Sequence, residues 1–214
     1  DHAGRVTEHR TFDTLLGLSS DAPQIVQRYE YDVITNTTVS TVHSQFLVDS
    51  GGVETLHGTS TVTQDKQGRV SKITDQANPA NGIAAKHAGF SYDNANQVTS
   101  ITRTVDGNPV LDTRYGYDAA GRVVNIAHTR AGDLQPFTSH QYSYDLAHRI
   151  SEQTTNHDTS IAALSQTSAT NTETFNFDLA GQLTGDDEGT YTYDDNGNRT
   201  DSSFVVGEHN RLTE

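Results

Sequence analysis

Aspartates recur at equivalent points along this sequence, each directly after a pair of aromatic residues in the clearest copies. The clearest of these copies contain Asp93, Asp118, Asp145, Asp178 and Asp194. Carboxylates in a repeated pattern suggest acid–base catalysis or calcium binding. The competing interpretation is that each carboxylate caps backbone N–H groups of a turn. We favour the turn, because several residue types satisfy the surrounding positions, which a turn tolerates and a catalytic site does not.

Other residues able to do chemistry form no recognised site. The segment Asp194-Asp195-Asn196-Gly197-Asn198 is superficially similar to a calcium loop, but glycine is not at its sixth position and no glutamate is at its twelfth. Asp186-Asp187-Glu188 is predicted to be a solvated hairpin tip. The ten histidines contain no His-x-x-x-His pair, and the chain has no Gly-x-Ser-x-Gly elbow or phosphate-binding glycine loop. We therefore predict no catalytic residue, no cofactor and no metal ligand.

The elements that carry these aspartates are predicted from a repeated phrase. Its cleanest copy is Tyr115-Gly116-Tyr117-Asp118-Ala119-Ala120-Gly121-Arg122-Val123. Aromatics two residues apart lie on the same face of a strand. The Asp-x-x-Gly segment then predicts a type I turn that ends in a left-handed residue, and Arg-aliphatic begins the return strand. Where glycine is absent, Asn96, His148 or Asn210 replaces it, and both residue types are enriched in the left-handed region.

The aromatic residues predict how neighbouring copies meet. The pairs are Tyr29/Tyr31, Phe90/Tyr92, Tyr115/Tyr117, Tyr142/Tyr144, Phe175/Phe177 and Tyr191/Tyr193. Stacked copies are expected to form an aromatic ladder. Each repeated arginine is expected to pair with the repeated aspartate or to pack over a neighbouring ring. The structural repeat positions are predicted to be Tyr115, Tyr117, Asp118, Gly121, Arg122, Tyr142, Tyr144, Asp145, Tyr191, Tyr193, Asp194, Gly197 and Arg199.

Weaker copies and connections complete the predicted array. In the copy at Asp194 one inserted residue is expected to lengthen the turn while keeping Gly197 and Arg199. Weaker copies start at Phe46 and Val62, and the copy at Tyr29 keeps the aromatics but loses Gly-Arg. A second hairpin is predicted at 105–109, irregular loops at 76–82 and 153–172, and one helical turn at 161–164.

Composition limits the class of protein. The apolar fraction is 32%, the charged fraction is 20% and the net charge is −14. A compact globule has an apolar fraction of about 45–50% with glycine counted. Because the aromatic and β-branched patterning is regular, we predict an ordered thin sheet with both faces partly wet rather than disorder. The acidity argues against nucleic-acid binding, and no apolar run is long enough for a membrane span.

The whole of 1–214 is predicted to be a single repeat array, with its weakest copies at about 10–60. Both ends fall within copies of the phrase, and the chain contains no Met. We therefore expect a fragment of a longer protein.

The segments Tyr115–Val123 and Tyr191–Thr200 resemble the signature of the YD-repeat, or RHS-repeat, family. The resemblance covers nearly the whole chain. It implies an all-β fold of side-by-side antiparallel β-hairpins in a spiralling strip that forms part of a hollow shell. In bacterial polymorphic toxins and insecticidal toxin complexes such shells enclose a C-terminal toxin, and teneurins carry a similar shell in a cell-surface adhesion protein. The family's aspartate-dependent self-cleavage site has no counterpart, because no proline follows an aspartate.

Three functions remain open from the sequence. The favoured one is a non-enzymatic structural segment of a large secreted or cell-surface protein, in which the shell encapsulates a toxin domain. The second is an extracellular carbohydrate-binding or adhesion module that stacks glycans on exposed tyrosines. The third is a filament or shell subunit that pairs with copies of itself through open sheet edges. Under each of the three functions, we expect the partners of this chain to include neighbouring repeats of the same protein.

Overall fold

The computed structural model describes residues 4–11, 25–35, 38–49, 51–157, 170–200, 205–206 and 212–213. In these ranges the regular structure is β-strand, apart from a single 3-10 turn at Pro79–Asn81, and the all-β prediction is confirmed. The strands are β1 (Glu8–Thr11), β2 (Ile25–Thr35), β3 (Thr38–Val48), β4 (Glu54–Gln64), β5 (Val70–Asp75), β6 (Lys86–Tyr92), β7 (Val98–Val105), β8 (Asn108–Tyr117), β9 (Val123–Arg130), β10 (Thr138–Tyr144), β11 (Ile150–His157), β12 (Thr170–Thr174), β13 (Asn176–Phe177), β14 (Leu183–Asp186), β15 (Gly189–Thr190), β16 (Val205–Val206) and β17 (Leu212–Thr213).

The chain divides into two compact units. The first comprises Asp1–Arg114 with Arg130–Asp133, and the second comprises Tyr115–Thr129 with Leu134–Glu214. In the first unit each strand from β1 to β8 pairs antiparallel with the next strand in the chain. In the second unit β9 to β12 follow the same order, and β13 to β15 form a separate sheet. Both units are therefore meanders of consecutive hairpins.

The hairpins use two kinds of connection, which alternate from β4 onwards through β9. One kind is the Asp-x-x-Gly turn, as at Asp118 between β8 and β9. The other kind varies, and the predicted second hairpin is confirmed at Asp106-Gly107, where both residues have positive φ (48° and 79°). Positive φ at both loop residues is the signature of a two-residue type I′ hairpin.

The predicted loops are only partly correct. The 76–82 segment contains the 3-10 turn at Pro79–Asn81 and a bridge from Asn78 to Ile83, and it is otherwise irregular. The prediction of an irregular loop at 153–172 was wrong at both ends, because β11 continues to His157 and β12 begins at Thr170. Polar side chains on these two strands bond to one another across the pair, as between Thr154 Oγ1 and Thr172 Oγ1 (3.1 Å). The helical turn predicted at 161–164 and the copy at Asn210 lie outside the described residues.

The sheets have almost no interior. Among the side chains that the structure describes, Val26 and Thr113 have 0% exposure, and the others retain contact with solvent. Alternating strand residues point to opposite faces, so a single layer leaves both faces partly wet. The low apolar fraction of the sequence therefore reflects a one-layer architecture, in which polar contacts between neighbouring hairpins must replace a thick core.

Candidate functional site: the coupled repeat turns

Each repeated aspartate closes a turn of the same geometry. In the copy at Asp118, the backbone N–H of Asp118 donates to Arg122 O (2.9 Å), and that of Gly121 donates to Asp118 O (3.0 Å). Oδ1 of Asp118 accepts from the N–H groups of Ala120 and Arg122, both at 2.9 Å. The same backbone pattern occurs at Asp49, Asp65, Asp93, Asp145, Asp178 and Asp194. The carboxylates therefore act as turn caps in the described chain.

The fourth turn position is left-handed in every described copy. It is glycine in most copies, and Gly121 has φ of 81°. The two replacements, Asn96 and His148, have φ of 64° and 65°. The prediction that these residues meet a backbone requirement is confirmed, because an L-residue with a Cβ is strained there unless it is of the few types that tolerate the conformation.

The hydrogen bonds in the turns favour ionised carboxylates. The backbone N–H of Arg122 is the largest influence on Asp118, followed by the Arg122 side chain, and together they hold the pKa of Asp118 below its ordinary value. The backbone N–H of Arg149 likewise lowers the pKa of Asp145, although desolvation opposes it. Hydrogen bonds to a carboxylate favour its charged form. The turns are thus most stable when their carboxylates are charged.

The repeated arginine connects one turn to the next copy. Arg122 Nε donates to Asp118 Oδ2 at 2.7 Å within its own turn. Its guanidinium carbon lies 4.4 Å from the ring centroid of Tyr144, which belongs to the following copy. Arg69 and Arg149 repeat both contacts, the first over Tyr92 and the second over Phe177, at 4.3 and 4.4 Å. Both contacts expected for this arginine are therefore present in a single side chain.

The second aromatic residue completes this connection with its hydroxyl group. Tyr144 Oη donates to Val123 O at 2.7 Å, and Tyr92 Oη donates to Val70 O at the same distance. Each acceptor is the aliphatic residue that follows the arginine of the preceding copy. Tyr193 Oη donates in the same way to Leu183 O (2.8 Å), although Leu183 follows Gln182 rather than an arginine. We call this set of contacts, arginine over the ring and hydroxyl to the carbonyl, the repeat clamp.

The repeat clamp corrects the predicted aromatic ladder. Aromatic residues of successive copies lie on alternate strands, and one intervening strand separates them by roughly 10 Å. Ring contacts require centroids about 4.5–7 Å apart. The arginine that directly precedes the intervening strand lies in this gap and packs over the ring of the following copy. Direct stacking occurs within one copy, between Tyr29 and Tyr31 (6.3 Å).

The fourth turn residue has a second role that sequence reasoning missed. Arg69 Nη1 donates to Asn96 Oδ1 (2.7 Å), and Arg122 Nη1 donates to His148 Nδ1 (3.1 Å). Where the fourth residue is Gly181, Arg149 Nη1 donates instead to Asp178 O (3.1 Å). The side chains that replace glycine thus accept a hydrogen bond from the preceding copy. The available signal was that each of them can accept a hydrogen bond as well as adopt positive φ.

A double-mutant cycle tests this role at Asn96. Asn96→Gly keeps a residue suited to positive φ but removes the acceptor, and Arg69→Lys keeps the charge but removes the forked donor. We expect a coupling energy of about 0.5–1 kcal/mol between the two positions in urea unfolding. Additive effects of the two substitutions would mean that Asn96 serves only the backbone.

The converse change is available at Gly181. An added Cβ there would lie 3.7 Å from Arg149 Nη1, which is ordinary contact. Gly181→Asn is expected to stay within about 0.5 kcal/mol of the natural chain in free energy of unfolding, since asparagine tolerates the conformation and offers an acceptor. Gly181→Ala, the matched control, is expected to cost about 1–2 kcal/mol. Equal losses for both variants would contradict the proposed acceptor.

The clamp also occurs where the sequence phrase is incomplete. Arg5 lies over Tyr31 (4.5 Å), and Tyr31 Oη donates to Val6 O (2.7 Å). The strand does not turn after Tyr31, however. Asp32 has φ of 56° and lies at an irregularity within β2, where its carboxylate accepts from Arg5 Nη1 (2.6 Å). The weak copy at Tyr29 therefore keeps the clamp without its own turn.

The inserted residue in the copy at Asp194 does not lengthen the turn, and that prediction was wrong. Gly197 is still the fourth residue, with φ of 80°. Asn198 takes the place of arginine, and its Nδ2 donates to Asp194 Oδ2 at 2.9 Å. The insertion falls after the turn, and Arg199 lies 3.9 Å from the ring centroid of Tyr191. An amide group can cap the carboxylate in place of a guanidinium, so the turn itself is unchanged.

The remaining predicted positions lie on the strands beside these turns. Tyr115 and Tyr117 are half-buried in β8, and Tyr142 is half-buried in β10. The acidic segment is a hairpin tip as predicted, with Asp187 and Glu188 exposed between β14 and β15. Asp186 is half-buried instead, and the Tyr191 hydroxyl donates to its Oδ1 (2.7 Å). This hydrogen bond lowers the pKa of Asp186 and raises that of Tyr191.

No group of three or more His, Asp or Glu side chains is placed to hold a metal ion in the described ranges. No helix in the same part of the chain is long and apolar enough to cross a membrane.

Comparison with known proteins agrees with the turn geometry. Residues 92–134 match the family model described as RHS Repeat. This segment contains Tyr92, the complete copy at Asp118 and the strands on either side of it. No curated protein matches the chain. The matched segment supports the RHS/YD-repeat assignment that the resemblance predicted.

Proposed function

We propose that this chain is a non-enzymatic structural segment of a larger secreted or cell-surface protein, and that it forms part of a β-shell enclosing a C-terminal toxin domain. RHS repeats are structural repeats. The observation that supports an enclosing wall is the one-layer sheet held by repeat clamps. Since each copy is fixed mainly to its neighbours, such a strip gains stability copy by copy and needs no filled interior.

The proposal extends to the whole of 1–214 as one array. The clamp joins copies in the first unit, at Arg69 and Tyr92, and in the second unit, at Arg122 and Tyr144. The carboxylates serve as turn caps in this proposal. We assign no catalytic role, cofactor or metal to the repeat positions.

Mild proteolysis of the full native protein, followed by size exclusion and mass spectrometry, tests the enclosure. A protected polypeptide outside the repeats that co-elutes with the repeat fragment is the expected result. Recovery of the repeats alone, with the C-terminal segment digested at the rate of a free chain, would contradict encapsulation.

The two alternatives have less support. Glycan stacking needs open tyrosine rings, whereas guanidinium groups cover one face of Tyr31, Tyr92 and Tyr144. Pairing between copies would use outer strands such as β12, whose partner within the described residues is β11. A glycan array on the folded chain and sedimentation at high concentration would detect the two activities separately.

A further inference from the structure

Two neighbouring clefts lie on one face of the first unit, at the ends of β5, β6 and β7 that are remote from the Asp65 and Asp93 turns. The register pairs His43 with Ser60, Ser60 with Asp75, Asp75 with Lys86, and Lys86 with Val105. Paired residues of adjacent strands share a face of the sheet. One row across five strands therefore presents an imidazole, a hydroxyl group, a carboxylate and an ammonium group.

The first cleft is polar and has a volume of about 230 Å³. His43 lies in its wall, with the ring stacked on Tyr29 at 4.7 Å, and its Nε2 is buried without a hydrogen-bond partner. Ser60 Oγ donates to Asp75 Oδ1 at 2.5 Å, which fixes that carboxylate. A buried polar atom without a partner is costly unless a ligand or water satisfies it. The polar side chains that this cleft presents to a ligand are those of Asp75 and Lys86.

The loop beside this cleft is held in place. Asn78 Nδ2 donates to the carbonyl groups of Leu56 (2.9 Å) and His57 (2.8 Å), and the Asn78–Ile83 bridge closes the loop. Ile83 and Gln76 of this loop line the cleft. The cleft is therefore preformed rather than shaped by a mobile segment.

The second cleft is mainly apolar and has a volume of about 280 Å³. Ile73, Ala88, Val105 and Val110 line it, and Asp75 and Lys86 line both clefts. These two charged residues thus stand where the polar and apolar spaces meet.

Asp75 and Lys86 do not neutralise one another. They are directly paired across β5 and β6, yet no ion pair within 4.0 Å joins them. The Lys86 side chain makes no hydrogen bond or ion pair with any residue in the described ranges. Opposite charges directly across a strand pair ordinarily attract. Here the two charges remain available to a third group.

We propose that this double cleft binds a zwitterionic α-amino acid with an apolar side chain. The ligand's ammonium group donates to Asp75, its carboxylate accepts from Lys86, and its side chain occupies the apolar cleft. Hydrogen bonds between charged groups are the strong ones, and they fix the ligand's orientation. This activity is independent of the enclosing role proposed above.

Titration of the full 214-residue chain with L-leucine, followed by ¹H–¹⁵N NMR, tests the proposal. Because the clefts are open, we expect a dissociation constant on the order of 1 mM. The shifted resonances should be those of β5, β6 and the 76–83 loop. N-acetyl-leucine lacks the ammonium group, leucinamide lacks the carboxylate and glycine lacks the apolar group. Each should bind about tenfold more weakly than leucine.

Substitutions test whether Asp75 and Lys86 bind leucine directly or only through the overall charge of the protein. Asp75→Asn and Lys86→Gln should each weaken leucine binding by about tenfold. Lys72→Gln is the matched control, because Lys72 is exposed on the same strand as Asp75 but points to the other face. Unchanged dispersion of the remaining resonances would show that each variant is folded.

Three results would overturn the proposal. The first is no leucine-dependent shift at these residues up to 50-fold above the expected constant, on the order of 50 mM. The second is equal binding of leucine and all three analogues. The third is an equal loss of binding in the folded Lys72→Gln and Lys86→Gln variants.

Discussion

Arg122→Ala is expected to lower the free energy of unfolding by about 2–3 kcal/mol, because one side chain makes several contacts that alanine cannot replace. Its guanidinium covers Tyr144 at 4.4 Å, bonds to Asp118 Oδ2 and reaches His148 Nδ1. The side chain is 28% exposed, so solvent screens these contacts only in part. Urea unfolding followed by circular dichroism and tyrosine fluorescence measures the change.

Two further variants define what the arginine supplies. Arg122→Lys keeps the charge but not the planar fork, and should recover less than half of the loss. Arg114→Ala removes an arginine that is 75% exposed and paired with Asp112, and should cost less than about 0.5 kcal/mol. If Arg122→Ala behaves like Arg114→Ala, the clamp does not contribute to stability.

Acid is expected to destabilise the chain through its turn carboxylates. The pKa of Asp118 is lowered mainly by the backbone N–H of Arg122, and that of Asp194 mainly by the side chain of Asn198. The pKa values of Asp65 and Asp145 are also lowered, because hydrogen bonds to each carboxylate outweigh the opposing effect of desolvation. A carboxyl whose pKa is lower in the folded chain binds fewer protons there than in the unfolded chain. Stability is therefore present above the unfolded value, near pH 4, and is lost as pH falls through the lowered folded values.

Thermal unfolding measured from pH 7 to pH 2 tests this dependence. Asp118→Asn should lower the melting temperature at pH 7, and its difference from the natural chain should shrink towards pH 2. Asp133→Asn is the control, since the Asp133 carboxylate approaches Arg130 only to 3.8 Å, and it should leave the profile nearly unchanged. A constant difference between Asp118→Asn and the natural chain at every pH would contradict the assigned ionisation.

Much of the local structure was predictable from residue types. Asp118 with Gly121 specifies a turn, and the substitution of Asn96 and His148 at the glycine position identifies a left-handed residue. These are short-range requirements of the backbone, and they leave a direct signature in the sequence. The sequence also predicted the kinds of residue that Arg122 contacts, an aspartate and an aromatic ring.

The contacts across copies were not predictable in the same way. The spacing of Tyr117 and Tyr144 suggested stacked rings, but an intervening strand keeps successive rings too far apart, and arginine fills the gap. The acceptor role of Asn96 needs the guanidinium of a residue 27 positions earlier in the chain. The insertion after Gly197 was misplaced because the sequence does not show that Asn198 can cap Asp194 in place of arginine.

The sequence by itself thus determined the all-β class, the turns and their left-handed residues, because these depend on neighbours within a few positions. Only the tertiary structure decided how the copies hold together, through a guanidinium over the next ring and a hydroxyl group on the preceding carbonyl. It also decided that Asp75 and Lys86 stand side by side without pairing. Such contacts depend on the register between strands, and register follows from the length and path of each connection rather than from any single copy of the phrase.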